Sequence, residues 1–215
     1  IDLVEQMIRV ASGQKLGFKQ KDMTIKGWAV EARLYAEDPY RGFLPSIGRL
    51  KHYSEPLEGP IGNGALRIDS GVREGDEISM FYDPMIAKVI GYGDSREAAI
   101  DALSETLDRL HVDGLQSNAP FLSAVLDETD FKAGRIHTGY IEEHFPEGFS
   151  GTAPTEFQLK IMAAAAAFMH TVFVERAARI TDRITPLPEE GLAHEWVVIL
   201  NDQRFPVEMR IPEGA

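Results

Sequence analysis

The sequence predicts an α+β fold in two parts: an antiparallel sheet with helices, then a long buried helix wrapped by antiparallel strands. Three observations carry that expectation. Apolar and polar residues alternate in short runs punctuated by glycine and proline, the pattern of half-buried strands. A stretch from Asp94 to Leu110 opens with capping residues and repeats its apolar positions at helical spacing. A run from Ile161 to Val174, IMAAAAAFMHTVFV, is apolar nearly all the way round, and two short strand-like runs follow it.

The stretch Arg67 to Gly93, RIDSGVREGDEISMFYDPMIAKVIGYG, organises the first part. Leu66 and Ile68 fall on one strand face, Arg67 and Asp69 on the other. A polar turn, Arg73-Glu74-Gly75-Asp76, leads to a second apolar run, Ile78 to Tyr82. Asp83-Pro84 breaks that run, because proline has no N–H and biases its predecessor away from helix. Met85 to Ile90 is apolar again and ends at Gly91 and Gly93. The pattern predicts strand, hairpin, strand, proline corner, strand. Arg67 is the charged side chain that such a sheet face presents to a ligand.

Composition sets outer limits. A formal net charge of −12 over 215 residues argues against nucleic acid and anionic membrane as partners, since both need a basic face. Anionic small molecules remain open, because one arginine in a pocket outweighs a distant acidic surface. The sequence has no cysteine, which removes disulfides, cysteine nucleophiles and zinc–thiolate sites and fits a reducing compartment.

Taken in order, residues 1–11 carry Leu3, Val4, Met7, Ile8 and Ala11 at helical spacing, and Gly13 is a natural stop. They lack the order of a signal peptide, and with no initiator methionine the chain reads as beginning inside a helix of a longer polypeptide. Trp28 to Glu37 alternates as a strand, ended by Asp38-Pro39. Arg41 to Gly48 is a compact loop, and Arg49 to Tyr53 a short strand. Asp94 or Ser95 caps the next helix, whose inward stripe is Ala98, Ala99, Leu103, Leu107 and Leu110. Asn118-Ala119-Pro120 starts a second helix through Leu126, and Thr138 to Phe145 forms a third.

Pro146 to Pro154, PEGFSGTAP, reads as a linker, which divides the chain into residues 1–145, a linker at 146–155, and residues 156–215. Glu156 to Arg183 has a helical composition; its apolar core is shorter than the roughly 20 residues of a transmembrane span. Trp196 to Leu200 and Phe205 to Met209 are strands joined by a turn at Asn201 to Arg204, too few to cover the helix.

The segments EARLYAEDP, FLPSIGRL, the arginine of LRIDSG, FYDPMIAKVIGYG and DGLQSN, in this order, resemble the C-terminal part of a biotin carboxylase domain over about residues 1–145. The apolar helix that follows is similar to the start of the subunit-docking domain in the α subunits of biotin-dependent acyl-CoA carboxylases, the propionyl-CoA carboxylases being the preferred members. Acetyl-CoA, methylcrotonyl-CoA and pyruvate carboxylases are the alternatives, and a purely structural or assembly module is the non-enzymatic one. The resemblance implies a ligase that carboxylates biotin from bicarbonate and ATP with Mg2+, in the cytoplasm, or in the mitochondrial matrix of a eukaryote. It implies a hetero-oligomer with a carboxyltransferase β subunit and a biotin carrier domain as partners. It places most of the ATP and bicarbonate sites before Ile1, and the biotin-bearing Met-Lys-Met sequence is absent, so the segment alone is expected to be inactive.

By the same resemblance Arg67 matches the arginine that binds the biotin ureido oxygen and stabilises the charge arising there. From spacing alone it reads as a strand arginine paired with Asp69 or Glu74. Asp83 is expected to be a turn former, Glu31 and Glu37 with Arg33 a salt-bridged strand face, and Lys88 a lysine snorkelling from the sheet. Arg96 is read as a solvated helix start, and His170 as a satisfied core residue. His52, His111, His137, His144, His170 and His194 show no close metal-ligand spacing, so no metal site is assigned.

Overall fold

The computed structural model describes residues 1–178 and 195–210, which form two units, Ile1–Gly151 and Thr152–Ala215. The first holds α1 (Leu3–Ala11), β1 (Trp28–Tyr35), β2 (His52–Ser54), β3 (Gly59–Ile61), β4 (Gly64–Ser70) and β5 (Met85–Gly93). It continues with α2 (Arg96–Arg109), β6 (His111–Asp113), α3 (Ala119–Asp127), α4 (Thr129–Lys132) and α5 (Tyr140–His144). The second holds α6 (Glu156–Ala178), β7 (Glu195–Leu200) and β8 (Gln203–Glu208). The described parts are helices and antiparallel sheet, as the sequence predicts.

The first unit is built on a four-stranded antiparallel sheet in the order β1-β5-β4-β3. Its register pairs Arg67 with Ile90 and Asp69 with Lys88 on one side of β5, and Glu31 with Ile90 and Arg33 with Lys88 on the other. With a period of two, Ala32, Leu66, Ile68 and Val89 point the opposite way, into the core. There they join Ile100, Leu103 and Leu107 of α2 in one apolar cluster. α2 begins as the sequence requires, with the Ser95 hydroxyl accepting from the Ala98 N–H at 3.1 Å. The helix lies so close to β5 that a Cβ on Gly91 would stand 2.3 Å from the Ala99 carbonyl oxygen.

Several local expectations are corrected. The run from Ile78 to Tyr82 does not form a hairpin with β4. Strand β4 pairs with β5 along its length and with β3 over Gly64–Leu66, and the Glu58 carboxylate takes the Ile68 N–H just past β3; Glu77–Ile78 pairs instead with Gly48–Arg49. Phe81 and Tyr82 then lie in a turn, each 83% exposed. The expected strand from Arg49 to Tyr53 is split at Leu50-Lys51, because its two halves pair with different segments: Gly48–Arg49 with Glu77–Ile78, and β2 with β6. α1 starts at Leu3, with the Asp2 carboxylate accepting from the Glu5 N–H at 2.9 Å. The helix expected over Thr138 to Phe145 shortens to α5, and α4 is an additional turn.

In the second unit the stripe Ala163, Ala167, Thr171 of α6 is buried. Its i, i+4 spacing lines up one face, and Thr171 Oγ1 lies 3.3 Å from Met209 Sδ. Strands β7 and β8 form a hairpin on Asn201-Asp202, both with positive φ (48° and 62°), the conformation of a two-residue turn that twists with its strands. Trp196, Val198, Phe205 and Val207 occupy the less exposed hairpin face. Phe157, Ile161, Phe168, Met169 and Phe173 are exposed, so the hairpin covers one side of α6. Among the described residues α6 is the one helix long and apolar enough to cross a bilayer, a test that soluble core helices also pass. The expected continuation of this helix to Arg183 lies outside the described residues.

The close approach of α2 and β5 gives a stability test. Gly91→Ala is expected to lower the free energy of unfolding by about 1–3 kcal/mol through overpacking. Gly17→Ala, with nothing within 4 Å of its Cβ position, is expected to stay within about 0.5 kcal/mol. Urea unfolding midpoints of the two variants check this.

Candidate functional site

The outward face of the sheet is a band of charge. β1 contributes Glu31 and Arg33, β5 contributes Lys88, and β4 contributes Arg67 and Asp69, all on the face opposite the core. Arg33 Nε meets Glu31 Oε1 at 3.2 Å, the salt-bridged strand pair that the sequence suggests. Lys88 is half-buried between Arg33 and Asp69 in the register.

Arg67 projects from the middle of β4, its side chain 71% exposed. Its Nε donates to Asp69 Oδ1 at 2.8 Å and its Nη2 to Asp69 Oδ2 at 3.0 Å. The strand pairing with Asp69 that spacing suggests is therefore present. It occupies one edge of the guanidinium and leaves Nη1 and the second Nη2 hydrogen for another acceptor. The hydrogen bonds and charge of Asp69 raise the Arg67 pKa, against an opposing effect of burial, and Glu58 adds the smallest contribution. A permanently charged donor fork on a rigid strand suits an oxygen that gains negative charge.

Two residues that support this face have no marked signal in the sequence. Glu58 Oε1 accepts from the Ile68 N–H at 2.8 Å, bonding the β4 backbone beside Arg67, just past the Gly59–Leu66 pairing of β3. Asn118 is buried and bonds the edge strand β1: its Oδ1 accepts from the Tyr35 N–H at 2.9 Å and its Nδ2 donates to the Arg33 carbonyl at 3.1 Å. The sequence assigns Asn118 to the start of α3, yet its side chain makes no cap bond there. Only the pairing across 83 residues reveals its role.

A hollow of about 620 Å³ lies at the end of β4 rather than at Arg67, lined by Tyr53, Glu55, Ser70, Arg73 and Glu74 among others. The Tyr53 hydroxyl lies 2.6 Å from Glu55 Oε1 and 2.8 Å from Ser70 Oγ, and Ser70 also bonds Glu55. Burial, with the Glu55 carboxylate beside it, pushes the Tyr53 phenol pKa up, so it stays neutral. Glu74 accepts from the Tyr53 N–H and from His52 at 2.6 Å, and these bonds hold its carboxyl below the ordinary range. These groups satisfy one another, so hollow volume is a poorer guide to chemistry here than the free edge of Arg67. A second cavity, of about 460 Å³, is apolar and lies between β1 and α3, lined by Val30, Ala32, Phe121, Leu122 and Phe131 among others.

The remaining candidates fall into place. Asp83 Oδ1 accepts from the Met85 N–H at 3.0 Å, which makes it a turn former. Glu37 is pushed up by partial burial and by the charge of Asp83. Arg96 is not a solvated helix start: its Nη2 donates to the Phe131 carbonyl at 2.7 Å and its guanidinium sits 5.2 Å from the Phe131 ring centre. α4 brings Phe131 there, and the sequence gives no sign of that element. His170 is exposed and meets Trp196 edge-on at 4.8 Å rather than lying in a core. His52 pairs with Glu74, His137 with Glu143, and His144 lies between Glu128 and Asp130. His194 lies outside the described residues. Among the described residues no group of three or more His, Asp or Glu side chains has the arrangement of a metal site.

Comparison with known proteins yields two family matches. Residues 31–143 match the model of the biotin carboxylase C-terminal domain, and residues 162–215 that of the propionyl-coenzyme A carboxylase BT domain. The propionyl-CoA carboxylase alpha chain of Ruegeria pomeroyi is 49% identical over 222 residues, covering 96% of this chain and 32% of that one. The mitochondrial alpha chain of the human propionyl-CoA carboxylase is 43% identical over 178 residues, covering 82% of this chain and 24% of its own. The chain thus spans a third or less of the length of these curated relatives. Among solved structures, the biotin carboxylase domain dimer of Hydrogenobacter thermophilus 2-oxoglutarate carboxylase, in complex with MgADP and bicarbonate, superposes with a TM-score of 0.61. It is 35% identical, over 67% of this chain and 31% of that one.

Proposed function

We propose, because the chain belongs to the biotin carboxylase C-terminal domain family, that it supplies one wall of a biotin-carboxylating active site within a longer α subunit. The observation that carries this reading is Arg67, with its Nε edge held by Asp69 and its other edge free on the open sheet face. Biotin, when bound, supplies the ureido nitrogen that accepts the carboxyl group. Arg67 would hold the ureido oxygen: as the ureido proton leaves, charge gathers on that oxygen, and a fixed, always-protonated fork stabilises it more than the neutral ground state. The donor chemistry fits, since the free edge offers N–H groups and no acceptor. ATP, Mg2+ and bicarbonate are assigned to parts of the longer protein outside these residues.

The acyl-CoA carboxylases are the preferred setting, with propionyl-CoA carboxylase first, because the relatives described above carry that name and extend over both units. The second unit then serves assembly with a carboxyltransferase β subunit. The match to the BT domain and the exposed aromatic and aliphatic side chains of α6 support this role. In this reading the domains are residues 1–145 and 156–215, joined by a linker at 146–155. A biotin carrier domain belongs to the longer protein, as does a location in the bacterial cytoplasm or, as for the human relative, the mitochondrion.

Arg67→Ala in the full-length enzyme is expected to slow ATP-dependent carboxylation of free biotin about 100- to 1,000-fold, the usual cost of one oxyanion-stabilising donor. The KM for ATP should stay unchanged, and an unaltered rate contradicts the assignment. Deleting residues 156–215 is expected to abolish co-purification with the β subunit while sparing carboxylation of free biotin. Retained co-purification contradicts the docking role.

A further inference from the structure

The geometry around Arg67 assigns a task to a residue that contacts no substrate. Asp69 grips the guanidinium by its Nε edge, with Nε to Oδ1 at 2.8 Å and Nη2 to Oδ2 at 3.0 Å. Of the five N–H groups, this uses the one on Nε and one on Nη2. Both hydrogens of Nη1 and the second of Nη2 remain, forming a fork at the tip of the side chain. The two residues are i and i+2 on one strand, so their side chains rise from the same face. The backbone between them is fixed by pairing to β5 and by Glu58 on the Ile68 N–H. Asp69 is itself opposite Lys88, with Arg33 on the far side of that lysine.

An exposed arginine without such a partner spreads over many rotamers, and each departure from the productive one weakens the interaction with a reacting atom. A carboxylate beside a cation also offsets part of its field, but on an open face water screens that loss while the bidentate geometry persists. The net effect of Asp69 is orientation. We propose that Asp69 is a positioning residue for biotin carboxylation, holding the Nε edge of Arg67 so that the fork at its tip is presented to the ureido oxygen. This rests on the reading of Arg67 given above.

The test is a double-mutant cycle in the full-length enzyme, following ATP-dependent carboxylation of free biotin. Asp69→Asn keeps the shape but replaces one of the two acceptor oxygens with an NH2 donor and removes the charge, so the two-oxygen grip on Nε and Nη2 is lost, and it is expected to lower kcat about 10- to 100-fold. The KM for ATP and the thermal unfolding midpoint should stay as in the parent enzyme, because only an exposed pair is lost. In an Arg67→Ala background the same Asp69→Asn change is expected to add nothing. An Asp69→Asn enzyme with normal kcat beside an impaired Arg67→Ala enzyme overturns the positioning role alone. So does a loss that persists undiminished in the Arg67→Ala background, since Asp69 would then act independently of Arg67. If Arg67→Ala carboxylates biotin at the parent rate, the Arg67 reading itself falls, and the positioning role with it.

Discussion

The register between β4 and β5 is the constraint on which the site depends. Leu66 and Ile68 are buried beneath α2, and the residue between them must therefore face the other way. A slip of one residue would bury a guanidinium and a carboxylate and expose two aliphatic side chains, so the apolar core fixes Arg67 on the open face. The same register brings Lys88 opposite Asp69, and the glycine at position 91 lets α2 seat directly on β5. Core packing on one face and the charged band proposed as the site on the other are two consequences of one alternation.

This explains why the overall acidity of the chain does not oppose the proposed chemistry. A net charge of −12 is distributed over the whole sequence, whereas Arg33, Lys88 and Arg67 meet Glu31 and Asp69 on one face. At physiological salt, exposed charges beyond about 8 Å are largely screened, so the local arrangement decides what an anionic group encounters. The carboxylates on this face are themselves engaged with arginines, Glu31 with Arg33 and Asp69 with Arg67.

Much of this was legible in the sequence because it is written in local periods. The alternation around Arg67, the capped helix after Gly93, the Asp83-Pro84 corner and the hairpin turn expected over Asn201 to Arg204, which the structure tightens to Asn201-Asp202, each depend on neighbours within a few residues. What local reading missed depends on distant ones. The partner of Ile78 is Gly48, thirty positions away and not the neighbouring strand β4. Asn118 serves β1 across more than eighty positions. Arg96 is drawn onto Phe131 by a short helix with too few residues to show a period. The role proposed for Arg67 rests on the ordered set of segments around it, since its spacing alone also fits the pairing with Asp69 that the structure contains.

The most direct test of this account is a structure of the full-length enzyme with free biotin bound. The account predicts the ureido oxygen within about 2.7–3.1 Å of Nη1 or Nη2 of Arg67, the range for a productive oxyanion donor, with Asp69 still on the Nε edge. A bound biotin whose ureido oxygen is held by another group, with Arg67 turned away, would contradict it.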